Sequence, residues 1–296
     1  MSNEPANERS ELWVWCAYTL VLAGVTGLVY LGSRPEGHGP VRVYLTGPPA
    51  LALSSLAIGL WGLAQSLVRR PFLRRGRLAG WFAVGATIAL ASYPLPFPSR
   101  HDGRPSQVRL ELPVEGRWRV RWGGEDPERN LPASARPDRR YGYDLLPEPP
   151  AGVDGAGPLV TAPCAARVVA VRDEAGAIAT GVHDGLGNHV VLEIAPGQYL
   201  FLAGLYTRSI RVAPGSAVER GAPLAQVGGS ATGNFTAGQH LVLFLQDTAE
   251  PLWGQGIPFA FDELVVNGER VERARPRGQS VREPERSPGD VVERVR

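Results

Sequence analysis

The chain has few of the residues and motifs on which common enzyme sites depend. It contains two cysteines, Cys16 and Cys164, and neither belongs to a CxxC pair of the kind found in metal and redox sites. It has no HExxH, GxSxG, Walker or GxGxxG motif, so the common zinc peptidase helix, the hydrolase nucleophile elbow and the usual nucleotide loops are excluded. The net charge is only +2 and no basic stripe with interleaved aromatic residues is present, so no nucleic-acid partner is expected.

Charged residues are also missing from three long apolar runs near the N-terminus. The runs cover residues 12–31, 49–68 and 78–97. A helix of about 20 residues crosses about 30 Å of hydrocarbon, so each run is long enough to span a bilayer. If these runs were helices of a soluble protein, they would have no polar side to face the solvent. We therefore predict a membrane domain, residues 1–97, whose three transmembrane helices contact the lipid bilayer.

The positions of the arginines predict the orientation of this domain. Residues 69–77, between the second and third runs, contain five arginines, whereas residues 32–48, between the first and second, contain two. Because arginine-rich loops are retained in the cytoplasm, the second loop and the N-terminus are predicted to be cytoplasmic. The part after Phe97 then lies on the periplasmic or extracellular side of a bacterial inner membrane.

Beyond residue 97 the apolar runs become short and alternate with polar residues, as is typical of strands between Gly and Pro turns. Strands are predicted at residues 108–112, 118–122, 167–172, 189–194, 199–203, 209–212 and 240–246. Such a series indicates an all-β sandwich or open barrel over residues 98–267. Residues 268–296 alternate arginine and glutamate with proline and serine, and their few apolar residues predict a disordered charged tail.

Several short segments of the β-rich part follow one another in a fixed order. They are LPVEGRW at 112–118, RYGYD at 140–144, TAPCAARVV at 161–169, GNHVVLE at 187–193 and SIRV at 209–212. Over residues 112–261 this order resembles that of the LytM or lysostaphin-type zinc metallopeptidases, whose segments include RYALD and GNHVVIE. The resemblance implies a LytM-like β domain, and the activity of that family is zinc-dependent cleavage of peptidoglycan cross-bridges.

The resemblance also implies where a zinc site would lie. Active members hold zinc with an early His, an Asp and the second His of an HxH strand, and two further histidines assist the attacking water. Here Asp144 is retained, but the early His position holds Pro132 or Arg140, the second His position holds Val242, and one assisting position holds Gly204. A catalytic zinc needs three protein ligands and an open position. The sequence therefore predicts a degenerate site with no bound cofactor.

The retained polar residues have alternative interpretations. Asp144 can be a structural acid that accepts backbone hydrogen bonds or pairs with an arginine. His240 occupies the other assisting position, either as a hydrogen-bonded histidine at the start of a strand or as a polar contact in a binding groove. His189 is the residue that the family itself has at this position, so it indicates kinship and not metal binding. His183 and His101 are expected to lie in solvated loops.

Three functions follow from these observations. The first is a membrane-anchored, catalytically degenerate LytM-like domain that binds peptidoglycan or a protein of the cell envelope. The second is an active zinc metalloendopeptidase with unorthodox ligands, drawn from Asp144, His240 and one of His183 or His189. The third is a structural envelope protein. The sequence favours the first, a pseudoenzyme, because a retained scaffold surrounds a site that has lost most of its ligands.

Overall fold

A computed structural model describes residues 12–68, 75–93, 95–134, 136–152, 155–174, 186–229 and 238–295 of the chain. The chain divides into two compact units, Met1–Pro98 and Ser99–Arg296. The first unit is helical and the second is β-rich. The fold class predicted from the sequence therefore agrees with the structure in its two main parts.

The first unit contains the helices α1 (Leu12–Gly32), α2 (His38–Val68) and α3 (Arg75–Ser92). Among the described residues, α1 and α2 are long and apolar enough to cross a membrane, judged by length and composition. The prediction of three such helices is therefore corrected to two. α3 has only 18 residues, begins within the arginine-rich segment and ends before the prolines at positions 94, 96 and 98. Proline disfavours continuation of a helix, so the apolar run up to residue 97 is not helical throughout.

Small residues line the contacts between these helices. The ring of Trp13 is fully buried, and a Cβ added at Gly62 or Gly80 would come within 2.8 Å or 2.7 Å of it. α2 and α3 therefore approach α1 closely where glycine leaves room for the indole. Exposed large side chains of the three helices include Trp15, Leu22, Val29, Leu53, Leu60, Leu67 and Phe82. Small residues inside and large apolar residues outside are typical of helices that pack in lipid.

Twelve strands lie in the described part of the second unit. They are β1 (Arg117–Trp122), β2 (Tyr143–Pro147), β3 (Leu159–Thr161), β4 (Ala166–Arg172), β5 (Asn188–Ala195), β6 (Gln198–Leu205), β7 (Ala217–Val218), β8 (Pro223–Gln226), β9 (Leu241–Gln246), β10 (Phe261–Val266), β11 (Glu269–Ala274) and β12 (Val291–Arg294). Ten of them form one sheet in the order β11-β10-β12-β1-β2-β9-β6-β5-β4-β7, and β3 pairs with β8 in a second sheet. Each strand pairing is antiparallel.

Alternate residues of the central strands enter two separate clusters. Leu192 of β5 and Leu243 of β9 belong to the large core, together with Trp118 and Phe261. Residues of β5, β6 and β9 on the opposite face, together with Leu186, form a smaller cluster of Leu186, Val191, Phe201, Ala203, Val242 and Phe244. Because side chains alternate between the faces of a strand, the smaller cluster and the candidate site share one face of the sheet.

Five of the seven predicted strands correspond to β1, β4, β5, β6 and β9, whereas two predictions are wrong. Residues 108–112 make a single bridge, from Leu110 to Phe261. Residues 209–212 run beside β8 through the hydrogen bond from the Arg211 backbone N–H to the Leu224 carbonyl, at 2.8 Å. Both segments pack apolar side chains against the core without forming a ladder, so their alternation indicates burial and not a strand.

The C-terminal segment belongs to the sheet, which corrects the prediction of a disordered tail. β12 lies between β1 and β10, and β11 forms an edge. Val292 is fully buried opposite Trp118, and the Arg294 guanidinium donates to the Glu111 carboxylate. Composition misses this because a few apolar residues in the right register suffice to complete an existing sheet.

Candidate functional site

Four neighbouring strands place predicted site positions in one row. Asp144 of β2 lies opposite Val242 of β9, Val242 lies opposite Ala203 of β6, and Ala203 lies opposite His189 of β5. Residues directly opposite in an antiparallel pair share a face and have Cβ atoms about 4.5–5.5 Å apart. The side chains of Asp144 and Val242 are therefore adjacent.

A small cleft lies at the Asp144 end of this row. Its walls are formed by Trp122, Asn130, Pro132, Arg139, Gly142, Tyr143, Asp144, Val242 and Phe244. The volume of the cleft is about 10 Å³, roughly the space that one water molecule needs. Pro132, Asp144 and Val242 thus meet in one place, and of these three side chains only that of Asp144 carries a metal-binding group.

Asn130 fixes the loop that carries Pro132. The Asn130 side chain is fully buried, and its Nδ2 lies 3.1 Å from the Arg140 carbonyl oxygen and 3.3 Å from that of Gly142. The 3₁₀ helix Leu131–Ser134 follows directly, so the amide ties the start of this helix to the turn before β2.

Arg140, the other candidate for the early histidine position, is directed elsewhere. Its Nε donates to the Asp102 carboxylate at 3.1 Å and lies 3.2 Å from the Tyr141 hydroxyl, which also donates to Asp102. Of the two alternatives, Pro132 is the one that lines the cleft with Asp144.

Arg139 adds a buried positive charge to the cleft, and the sequence analysis missed it. Arg139 is 3% exposed, and its guanidinium carbon lies 5.5 Å from the centroid of the Phe244 ring. Desolvation by burial and the nearby Arg136 lower its pKa to about 10, whereas Asp138 and Asp144 act to raise it. The guanidinium therefore stays protonated at neutral pH. In the sequence, Arg139 is visible only as an arginine directly before the RYGYD segment, and nothing there distinguishes it from a surface arginine.

Aromatic and aliphatic side chains occupy the face around the cleft. The rings of Phe244 and Phe201 are stacked, with centroids 4.7 Å apart and an interplanar angle of 9°. Both belong to the apolar cluster with Val242 and Ala203. The surroundings of the cleft are thus largely apolar.

His240 lies near the cleft but is not one of its lining residues. It is fully buried, its Nδ1 lies 3.1 Å from the Gly238 carbonyl, and its backbone N–H donates to Gly228 at 3.0 Å. The Nε2 atom of His240 has no hydrogen-bond partner within the described ranges. His240 directly precedes β9 and lies two residues before Val242, so on extended backbone their Cα atoms are about 7 Å apart and their side chains share a face.

The other histidines have different surroundings. The Nδ1 of His189 lies 2.9 Å from the Gly187 carbonyl, and burial lowers the pKa of this imidazole. The Nε2 of His101 lies 3.4 Å from the Asp247 carboxylate, so this histidine is partly buried against an acid and not simply solvated. His183 lies outside the described residues.

Gly204, at the predicted position of the lost assisting histidine, has a backbone that favours glycine. Its φ is +84°, a left-handed conformation that residues with a Cβ rarely adopt. Its carbonyl accepts a hydrogen bond from the Gly228 backbone N–H at 2.8 Å, so the conformation is held in place. A histidine at this position would therefore be strained.

The residues of the cleft do not fit a zinc ion. Zinc in proteins takes four ligands from thiolates, imidazoles, carboxylates and water. Asp144 can supply one, whereas Pro132 and Val242 have no donor atoms in their side chains. Over the ranges that the structure describes, no three His, Cys, Asp or Glu side chains are placed to share a metal. The protonated Arg139 would also repel a dication.

No protein-family profile and no curated protein matches the chain. Among solved structures, the catalytic domain of the prophage-encoded M23 protein EnpA from Enterococcus faecalis is 21% identical, with 40% of this chain and 73% of that chain covered and a TM-score of 0.29. A peptidase M23 from Pseudomonas aeruginosa is 24% identical over 48% of this chain and 46% of that chain, with a TM-score of 0.29. The catalytic domain of lysostaphin from Staphylococcus simulans is 17% identical over 39% of this chain and 74% of that chain, with a TM-score of 0.29. Two of these three structures are described as M23 proteins, and the third is the catalytic domain of the peptidase lysostaphin.

Proposed function

We propose that this chain is a membrane-anchored, catalytically degenerate LytM-like domain that binds peptidoglycan or a protein partner of the cell envelope. One observation carries the proposal: Pro132 and Val242, neither of which can bind a metal, line one cleft with the single acid Asp144. The scaffold around them is intact, since four central strands hold these positions in register. A scaffold that persists without its ligands is better suited to binding than to hydrolysis.

The helical unit supports the proposed anchor. α1 and α2 are long and apolar enough to cross a membrane, and their large apolar side chains point outward while glycines face the neighbouring helices. Exposed leucine and tryptophan side chains would be unfavourable in water, whereas lipid tails solvate them. We therefore place this unit in a bacterial inner membrane.

The arginine-rich segment at residues 69–77 supports a cytoplasmic N-terminus and an outer unit in the periplasm or outside the cell. A periplasmically active reporter fused after Phe97 should be active, and one fused within residues 69–77 should be inactive. The opposite pair of signals would contradict this orientation.

Binding and catalysis can be separated on the purified full-length chain. We expect the chain to contain far less than one zinc per molecule and to release no soluble fragments from purified peptidoglycan. Co-sedimentation with peptidoglycan would identify the glycan polymer as the ligand, whereas its absence together with capture of one envelope protein would identify a protein partner. Stoichiometric zinc together with fragment release that Asp144→Ala abolishes would show an active endopeptidase with unorthodox ligands, and the proposal would be wrong.

Two leucines of equal exposure offer a matched test of where the partner binds. Leu131 and Leu159 are each 41% exposed, but only Leu131 adjoins the cleft, between Asn130 and Pro132. Leu131→Asp should weaken binding, whereas Leu159→Asp should not. Equal effects of the two substitutions would place the binding surface elsewhere.

A further inference from the structure

Asp144 is a buried acid in a largely apolar setting. Its side chain is 1% exposed, and Trp122, Val242 and Phe244 contribute apolar walls to the cleft that it lines. An ionised carboxylate in such a place is costly unless a positive charge and hydrogen bonds compensate. A metal ion would compensate in a zinc site, but the donors of this cleft do not fit one. A cation supplied by the chain can perform the same electrostatic role.

The fold brings Arg139 to this cleft through a tight turn. The 3₁₀ helix Pro137–Arg139 ends there, and the Gly142 backbone N–H donates to the Arg139 carbonyl at 2.9 Å. A Cβ on Gly142 would lie only 2.9 Å from the Cβ of Phe244, so the turn packs directly on β9. This close approach places the guanidinium over the Phe244 ring and in the same cleft as Asp144.

The neighbouring charges leave Arg139 as the cation of the cleft. Arg136 binds Asp138 with two hydrogen bonds, from Nε at 3.0 Å and from Nη2 at 2.8 Å, so these two charges compensate each other. Among the described residues that line the cleft, Arg139 is the one cation and Asp144 is the one anion. The two charges also interact, because the Asp144 carboxylate favours the protonated form of Arg139.

We infer that Arg139 is a built-in cation that replaces a metal ion as the counter-charge of Asp144. Its guanidinium lies over the ring of Phe244, which is itself stacked on Phe201, and it does not depend on metal supply. The site has therefore been altered in two ways: the metal ligands are missing, and a protein cation occupies the cleft. Restoring the ligands alone should not restore a metal site. The inference concerns charge within the cleft and does not depend on whether the domain binds peptidoglycan.

A double-mutant cycle on the full-length chain tests the charge coupling. Arg139→Met keeps the length and the contact with Phe244 but removes the charge, and Asp144→Asn removes the charge of the acid. Each single change should raise the equilibrium constant for unfolding in urea. The increase in the double variant should be smaller, by a factor of about ten or more, than the product of the two single increases. Additive effects would overturn the inference. If Arg139→Met does not fold, Arg139→Lys provides the second measurement, because lysine keeps the positive charge but not the arginine packing. A folded Arg139→Lys chain would support the role of the charge, whereas an unfolded one would show that arginine packing alone is required and would overturn the inference.

A second experiment measures metal affinity directly. The variant Pro132→His with Val242→His supplies two imidazoles beside Asp144, and its zinc affinity is measured by titration against a zinc-binding dye. Adding Arg139→Met should tighten zinc binding by about tenfold or more, because a buried like charge near the metal is removed. Adding Arg282→Met, which removes a charge from a side chain that is 83% exposed, is the matched control and should leave the affinity unchanged. Equal affinities with and without Arg139 would overturn the inference, whatever the digestion and binding assays show for the unmodified chain.

Discussion

Replacing Val292 by alanine tests whether the C-terminal strand is part of the fold. Val292 is fully buried and lies opposite Trp118 of β1 and Val266 of β10. Removing its two methyl groups should cost about 1–3 kcal/mol, from lost burial and from the cavity that remains. In a unit of this size each kcal/mol moves the Tm by roughly 2–4 °C, so we expect the Tm to fall by roughly 2–12 °C.

The assay is thermal unfolding of the Ser99–Arg296 unit, followed by tryptophan fluorescence, because Trp118 lies next to the altered side chain. Val281→Ala is the matched control: Val281 is 40% exposed, so the same change should alter stability by less than about 0.5 kcal/mol. Deleting residues 289–296, which include β12, should be more damaging than either substitution. Equal, negligible shifts for Val292→Ala and Val281→Ala would refute the packing of β12 and favour the disordered tail that composition predicts.

Three further predictions concern other parts of the chain. In the helical unit, Gly80→Ala should lower the Tm measured in detergent, because the added Cβ would lie 2.7 Å from the Trp13 ring, whereas Gly85→Ala, with no atom within 4 Å, should not. Burial raises the pKa of the Cys164 thiol to about 11, so peptide mapping should show much slower alkylation of Cys164 in the folded than in the urea-unfolded chain, and equal rates would contradict its burial. Burial lowers the pKa of His189 below its ordinary value of 6.5, so its neutral form gives stability that is present above that value and is lost as pH falls through the folded pKa. As the pH falls from about 7.5 to about 5, the His189→Gln variant should therefore lose less stability than the parent. Equal losses in the free energy of unfolding, measured with urea for the two chains, would disprove the shift.

The resemblance to LytM-type peptidases and the lack of metal donors at Pro132 and Val242 were readable from the sequence. That Val242 cannot bind a metal is a matter of residue type alone, because no folding can give valine a lone pair. The alternation of β5, β6 and β9 was also visible locally, because each strand carries its own period-two pattern. The two apolar helices α1 and α2 were visible for a similar reason, since a long uncharged run is a local property.

Which of Pro132 and Arg140 lies beside Asp144 could be seen only in the tertiary structure. The two positions were equally consistent with the chain, but the turn before β2 directs Arg140 to Asp102 and leaves Pro132 in the cleft. Arg139 and Arg140 are neighbours of identical chemistry, yet one lines the buried cleft and the other bonds to Asp102. Only the path of the backbone through the turn separates their environments.

The C-terminal strands were decided by long-range pairing. β12 pairs with β1, more than half the chain away, and its register places Val292 opposite Trp118. Its own sequence is short and charged, so local propensity indicates no structure there. A strand of this kind is stabilised by the ladders and the core that its partners already provide, and those partners are set by the topology of the whole sheet. The sequence by itself therefore determined which chemistry is missing from the site, whereas the tertiary structure determined which residues meet in the cleft and which segments complete the sheet.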